Sequence, residues 1–507
     1  MRPRNRTEEL DLNNRSTGGY GAVARSARRR SFFLIPLACT TVALFTGCGK
    51  EQPAGGKSYD SSRDAGPVLL IGVDGFEWDV VLPLLAKKKL PTLAKIMNNG
   101  SYGLLESFIP TESPVIWTSV ATGKRHTEHG IAHFVHVDRK TGKPILYNNG
   151  DRRVKAVWNI LSDFEKRVCT IGWWMTYPVE PVNGVMVAQT NTAAQLDTRW
   201  GRAIWKGTLL RGMPGQVYPP QRQNEMITVL EDVEQLMPRL TQRIFGDFRH
   251  PFSELGRRLW TNCRWAFRAD ATYAHIAASL LQERPQFDLT MIYFGGPDVV
   301  GHRFWRYAYP DVFEHRPSPE QIENLGSIID DYYAYIDEKI GELIAVSPKN
   351  VTVLVVSDHG MKAFNRRARF DPDDPPEDVN SAHHKRAPAG LLIAAGPYIR
   401  ETPSNKAPRK LKVADLSIIG SVYDITPTLL AMLGVPVGLD MDGQVMTHII
   451  REGVGPRDQF ETIATHDTPE FRANRPEVPT IEAHEQERLD QLRSLGYIGG
   501  EDEDDGD

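Results

Sequence analysis

Val68-Leu69-Leu70-Ile71-Gly72-Val73-Asp74-Gly75 is an apolar run that stops on an aspartate and a glycine. A run of this length with no polar alternation reads as a strand buried on both faces, the signature of a parallel sheet covered by helices. The pattern recurs. Leu289-Thr290-Met291-Ile292-Tyr293-Phe294 leads through Gly295-Gly296-Pro297 to Asp298 and His302, and the run 351–356 ends on Ser357-Asp358-His359-Gly360. His383-His384 stands just before the run 390–395. In doubly wound sheets the carboxyl ends of the strands line the ligand crevice. Aspartates and histidines collected there would be donors to metal ions.

Between these runs lie helical patterns at 78–98 (broken at Pro91), 154–163, about 319–346 and 423–433, with a further strand at 167–173. The fold class is therefore α/β, a mostly parallel sheet sandwiched by helices. The core is expected in two parts, 67–189 and 286–452. Residues 190–285, rich in Arg, Trp and Gln, are read as a mainly helical cap inserted over the carboxyl edge, and 453–507 as a polar tail ending in an acidic run.

The chain has 507 residues and a formal net charge of −4, while its first 47 residues carry eight Arg against three acids. The remainder is thus more acidic than the whole, which argues against a nucleic-acid-binding surface. Arg28-Arg29-Arg30, the uncharged stretch 31–47 and Cys48 after Thr46-Gly47 describe an export signal with a lipobox-like cysteine at 1–48, followed by a flexible tether at 49–66. Arg29-Arg30-Ser31-Phe32-Phe33 is similar to a twin-arginine motif. An uncleaved anchor and a soluble secreted form are the alternatives, and all three place the chain in the cell envelope of a bacterium or outside it. Cys169 and Cys263 are one conceivable pair and do not make a disulfide framework.

Asp358-His359 on a strand-end turn can reach one ion together, and Asp298 with His302, four apart, share a face if helical. Six oxygen or nitrogen donors without thiolate suit two divalent ions, zinc first and manganese or iron next. A metal pair can activate a nucleophile and stabilise both oxygens of an in-line displacement. Ser113, read as N-cap with Pro114 as the first helical residue, supplies a hydroxyl where a helix N-terminus favours an anion such as phosphate. Thr111 competes for that role.

Val73-Asp74-Gly75, the segment 110–123 followed by His126-Thr127-Glu128-His129-Gly130-Ile131, Pro297-Asp298-Val299-Val300-Gly301-His302 and Val356-Ser357-Asp358-His359-Gly360 occur in one order. Together with Tyr423-Asp424-Ile425-Thr426-Pro427-Thr428-Leu429-Leu430 they resemble the type I phosphodiesterase/nucleotide pyrophosphatase branch of the alkaline phosphatase superfamily, over about residues 67–450 without the insertion. The resemblance implies an alkaline-phosphatase-like fold and a two-zinc site. Asp74, Asp358 and His359 would hold one ion with the Ser113 oxygen. Asp298, His302 and a downstream histidine, His384 or His383, would hold the other. It implies attack of Ser113 on phosphorus, a phospho-serine intermediate and its hydrolysis. Ser113 stands where the eukaryotic members have Thr, Ile116 stands where they have Asn, and no Arg adjoins Ser113 to hold a monoester's extra charge. Phosphodiester or pyrophosphate bonds are thus favoured over phosphomonoesters, with phosphotransfer of a headgroup to a glycan or lipid, or a non-catalytic binding lipoprotein, as the competing readings.

Overall fold

In the computed structural model the described residues are 66–476, apart from 138–141, 143, 190–195, 198–201, 204–213, 247–253, 365, 368–379, 402–409 and 453–459. The expected export signal, Cys48 and tether lie outside the described residues, as does the acidic end of the chain.

Nine strands form the central sheet: β1 (Val68–Val73), β2 (Gly100–Glu106), β3 (Val168–Ile171), β4 (Gly184–Val187), β5 (Val217–Tyr218), β6 (Leu289–Phe294), β7 (Thr352–Val356), β8 (Gly390–Ala395) and β9 (Ile418–Ser421), in the spatial order β9-β2-β8-β7-β1-β6-β3-β4-β5. β1 sits near the middle, parallel to β6 on one side and β7 on the other. Its side chains alternate between two cores. Leu69, Ile71 and Val73 join one apolar cluster, Val68 and Leu70 the other. That double burial is why the run is apolar at every position.

The first face is covered by α1 (Trp78–Ala86), α2 (Pro91–Asn98), α5 (Gln223–Phe245), α6 (Glu254–Leu280), α7 (Gly296–Ala308) and α8 (Ile328–Val346). The second is covered by α3 (Ser113–Thr122), α4 (Val157–Asp163) and α9 (Ile425–Met432). The architecture is the α/β sandwich read from the sequence.

Two strands, β8 and β5, run against the rest. The reversal of β8 matters for the site. Val356 pairs with Leu392, so the start of β8, not its end, lies at the carboxyl edge of β7, and Ala389 bridges His359. The residues just before β8 are therefore delivered to the same edge as Asp358.

Two regions differ from the expectation. The expected cap at 190–285 contains α5 and α6, and these lie on the face of the sheet within the main apolar cluster through Met226, Val233, Phe267 and Ile276. Their amphipathic stripes, not the polar composition of the segment, set where they pack. Of the expected polar tail, residues 460–476 are docked: Val437 pairs with Thr462, Lys124 Nζ meets Asp467 at 2.8 Å, and Arg475 Nη1 meets Glu180 at 2.7 Å. Cys169 and Cys263 are buried free thiols. Among the described residues no helix is long and apolar enough to cross a membrane.

Candidate metal centre

β1 ends at Asp74, and the chain turns at Gly75 with φ +63°, a conformation that favours glycine. A Cβ there would also lie 2.9 Å from the Cα of Asp298, so the turn brings the Asp74 loop against the one that carries Asp298. Asp74 is oriented from behind. Its Oδ2 accepts from Tyr293 Oη at 2.5 Å and Trp117 Nε1 at 3.1 Å, leaving Oδ1 toward Ser113 Oγ (3.5 Å) and His359 Nε2 (3.3 Å). Trp117 lies four residues beyond Ser113, so one face of α3 carries both.

Ser113 is the first helical residue and Glu112 the cap, one position earlier than expected, because Val115 and Ile116 donate to the Glu112 carbonyl. The Ser113 hydroxyl is therefore turned to Asp74 rather than folded back as a cap. The Thr111 hydroxyl donates to the backbone carbonyl of His384, which ties the loop before α3 to a ligand residue and takes Thr111 out of the competition for nucleophile.

Behind β7, Asp358 Oδ2 stands 3.3 Å from His359 Nε2, and neither atom makes a hydrogen bond. Gly75 N donates to Asp358 Oδ1 at 3.3 Å. Asp298, in the first turn of α7, has Oδ1 3.5 Å from His302 Nε2 one turn later. His384 stacks on His359 with ring centres 4.2 Å apart and lies 5.2 Å from His302. In each of two overlapping trios, Asp74–Asp358–His359 and Asp298–His359–His384, one donor atom per residue lies within 4.8 Å of the others. His359 faces both, and His302 adjoins the second through Asp298.

His383 is not brought there. It pairs with Lys362 in a short ladder, its ring is edge-on to Phe364 at 5.0 Å, and Lys385 N donates to its Nδ1. Adjacent residues of extended chain face opposite ways, so only one of the two histidines can enter the site. His129 is elsewhere too. Its Nδ1 accepts from Ile131 N and its Nε2 lies 3.1 Å from Ser119 Oγ, which makes it a buried structural histidine.

The donor set fits divalent cations. His302 Nδ1 meets Ala382 O at 2.8 Å and His359 Nδ1 meets Gly360 O at 3.0 Å, contacts that assign the proton to Nδ1 and leave Nε2 as the ligand atom. Without cations the charges conflict. Burial, and then the neighbouring aspartates, push the Asp358 carboxyl well up; burial followed by Asp298 raises Asp74. Burial also works against ionisation of Asp298, but His302, one turn along, holds it below the usual carboxylate range. Burial, then His359, holds His384 well below the usual histidine value, neutral as a ligand must be.

Sequence reasoning did not single out Tyr293 or Trp117 as holders of Asp74. The spacing Ser113–Trp117 carried a signal, whereas Tyr293 is hidden inside an apolar strand.

Human ectonucleotide pyrophosphatase/phosphodiesterase family member 7 is 22% identical over 337 residues, covering 66% of this chain and 55% of that protein, so the chain spans about half the length of this curated relative. Murine ectonucleotide pyrophosphatase/phosphodiesterase 5 superposes with a TM-score of 0.44 at 14% identity, covering 76% of this chain and all (100%) of that one. For the alkaline phosphatase PafA the values are 0.47 and 13%, covering 77% and 99%. The profile of the type I phosphodiesterase/nucleotide pyrophosphatase family matches residues 68–416, a span that holds Asp74, Ser113, Asp298, His302, Asp358, His359 and His384, and the chain belongs to that family.

Proposed function

We propose that this chain is an exported, metal-dependent hydrolase of phosphate esters, acting on phosphodiester or pyrophosphate bonds through a phospho-serine at a two-ion site. The observation that carries the reading is the pair of overlapping trios, Asp74–Asp358–His359 and Asp298–His359–His384, with His302 beside Asp298 and Asp74 Oδ1 3.5 Å from the Ser113 hydroxyl. Asp74, Asp358 and His359 would hold one ion beside Ser113, and Asp298, His302 and His384 the other. Bound divalent ions, zinc by the chemistry of the donors, would lower the pKa of the serine hydroxyl and neutralise charge on the leaving oxygen.

The protein's own part is to bind and orient. Ser113 Oγ attacks phosphorus, its proton passes to solvent, and the P–O bond to the departing alcohol or phosphate breaks, the departing oxygen taking up a proton from water. Water then attacks the phospho-serine and releases the second product, regenerating the hydroxyl. Ser113 opens a ten-residue helix, whose N-terminal N–H groups favour the phosphoryl oxygens. The residue before it is Glu112, 2.9 Å from His133, a carboxylate that disfavours a dianionic monoester over a monoanionic diester. The N-terminal signal and Cys48 support a lipid-anchored location in the envelope.

The test is Ser113→Ala with a chromogenic phosphodiester and zinc or manganese. Turnover should fall on the order of 10³-fold or more, the scale of removing a covalent nucleophile. Undiminished turnover would remove Ser113 from the chemistry.

A further inference from the structure

Two buried carboxylates near the metal centre belong to neither donor trio. Each grips the backbone of a ligand-bearing loop. Asp270, in the interior of α6, accepts Gly295 N through Oδ1 and Gly296 N through Oδ2, both at 2.9 Å. These are the first amides of α7, whose own N-cap, Gly295, has no side chain to cap with. The helix that carries Asp298 and His302 is thus capped from another element. Glu77 does the equivalent for the other loop. Its Oε2 accepts Met361 N at 2.8 Å, immediately past Asp358-His359-Gly360, while Oε1 accepts Asp79 N at 3.1 Å.

The fit is close in both places. A Cβ on Gly296 would strike Asp270 Oδ2 and Tyr332 Oη, and one on Gly360 would strike Glu77 Oε2. Both grips are backed by adjacent residues of α8. Tyr332 Oη donates to Asp270 at 2.8 Å; Tyr333 Oη donates to Gly75 O and accepts Glu77 N, each at 3.1 Å.

We infer that Asp270 and Glu77 are positioning residues with separate charges: Asp270 sets the Asp298–His302 helix, and Glu77 sets the Asp358–His359 turn. Neither touches the reacting atoms. The inference rests on the two-ion reading above for its metal consequence, but the grips themselves are independent of it. α6 then serves the site through Asp270.

The experiment uses the full chain with Asp270→Asn and Glu77→Gln, each of which leaves one gripped amide without an acceptor. In the metal-free protein, hydrogen exchange should quicken over 295–302 in D270N and over 358–361 in E77Q, with the other segment unchanged in each. In zinc titrations against a chelator, wild type should bind two ions. D270N should weaken one of them about 10- to 100-fold, the usual cost of losing an outer-shell partner. That loss should be non-additive with His384→Ala and additive with Asp358→Asn, and E77Q should show the converse. If D270N does not fold, Tyr332→Phe, which removes only the hydroxyl bond to Asp270, should shift exchange and affinity the same way by less. Unchanged exchange, or equal weakening of both ions by either variant, overturns the assignment. A wild type that binds fewer than two ions sinks the two-ion reading and the metal role with it, while the exchange data still decide the grips.

Discussion

The two halves of the candidate centre are built differently. Asp74 and Asp358–His359 hang from β1 and β7, neighbours in the middle of the sheet, so their spacing follows from strand pairing. Asp298, His302 and His384 sit one step further out, on a helix that follows β6 and on a loop that precedes β8. Side-chain and backbone bonds hold them: Ser381 N donates to His302 O at 2.7 Å, His302 Nδ1 meets Ala382 O, and Arg303 Nη1 donates to Asn380 at 2.6 Å. The strand-built half is rigid through hydrophobic burial. The helix that bears Asp298 and His302 is also buried, through Val299, Val300 and Phe304, but the loop that bears His384 depends on polar contacts, so it should be the part that variation loosens first.

The largest effect is expected in the strand-built half. Asp358→Asn should cut turnover of a phosphodiester about 10³-fold while raising the melting temperature of the metal-free protein, because it removes a carboxylate that its neighbours already oppose. Kinetics and thermal melts in chelator check both signs. A destabilised metal-free D358N would contradict the electrostatic account.

A smaller loss should follow in the other half. His384→Ala should cost about 10- to 100-fold in turnover or in zinc needed for half-activity. His383→Ala, in the short ladder with Lys362, should stay within about twofold because no ligand contact is lost. Equal effects of the two would undo the choice between them.

Next in size is a pH effect. Burial pushes Glu77 and Asp270 each up to about 7. A carboxyl raised in the folded state contributes stability fully present below its ordinary value near 4, and that contribution is lost as pH rises through about 7. Metal-free protein should therefore melt a few degrees lower at pH 8 than at pH 5. E77Q and D270N should flatten that slope. A slope of the opposite sign would show the buried carboxyls to be ionised and well solvated.

The least effect on chemistry is expected from the sheet itself. Leu70→Ala, deep in the second core, should cost about 2–5 kcal/mol of stability, with turnover per folded molecule unchanged.

How much of this was legible follows from the same contrast. β1, β6 and β7 could be read because strands buried on both faces are apolar throughout, and the aspartates at their ends stand out against that run. The direction of β8 could not, since an apolar run carries no arrow; the pairing of Val356 with Leu392 and the bridge of Ala389 to His359 show that its beginning faces the site. Ser113 and Thr111 are alike as hydroxyls, and packing separates them, one turned to Asp74 and the other to the His384 carbonyl. Asp270 was hidden for a different reason. A carboxylate within a long helical pattern reads as its solvent face, yet here it is 1% exposed and caps another helix.

The central claim is that these side chains hold two cations next to Ser113. A crystal structure of the zinc-loaded protein, with anomalous scattering recorded across the zinc edge, tests it most directly. Two peaks are expected, one contacted by Asp74, Asp358 and His359 and one by Asp298, His302 and His384, with Ser113 Oγ facing the first. A loaded protein with no peak among these residues, or with a single ion that leaves Ser113 untouched, would contradict it.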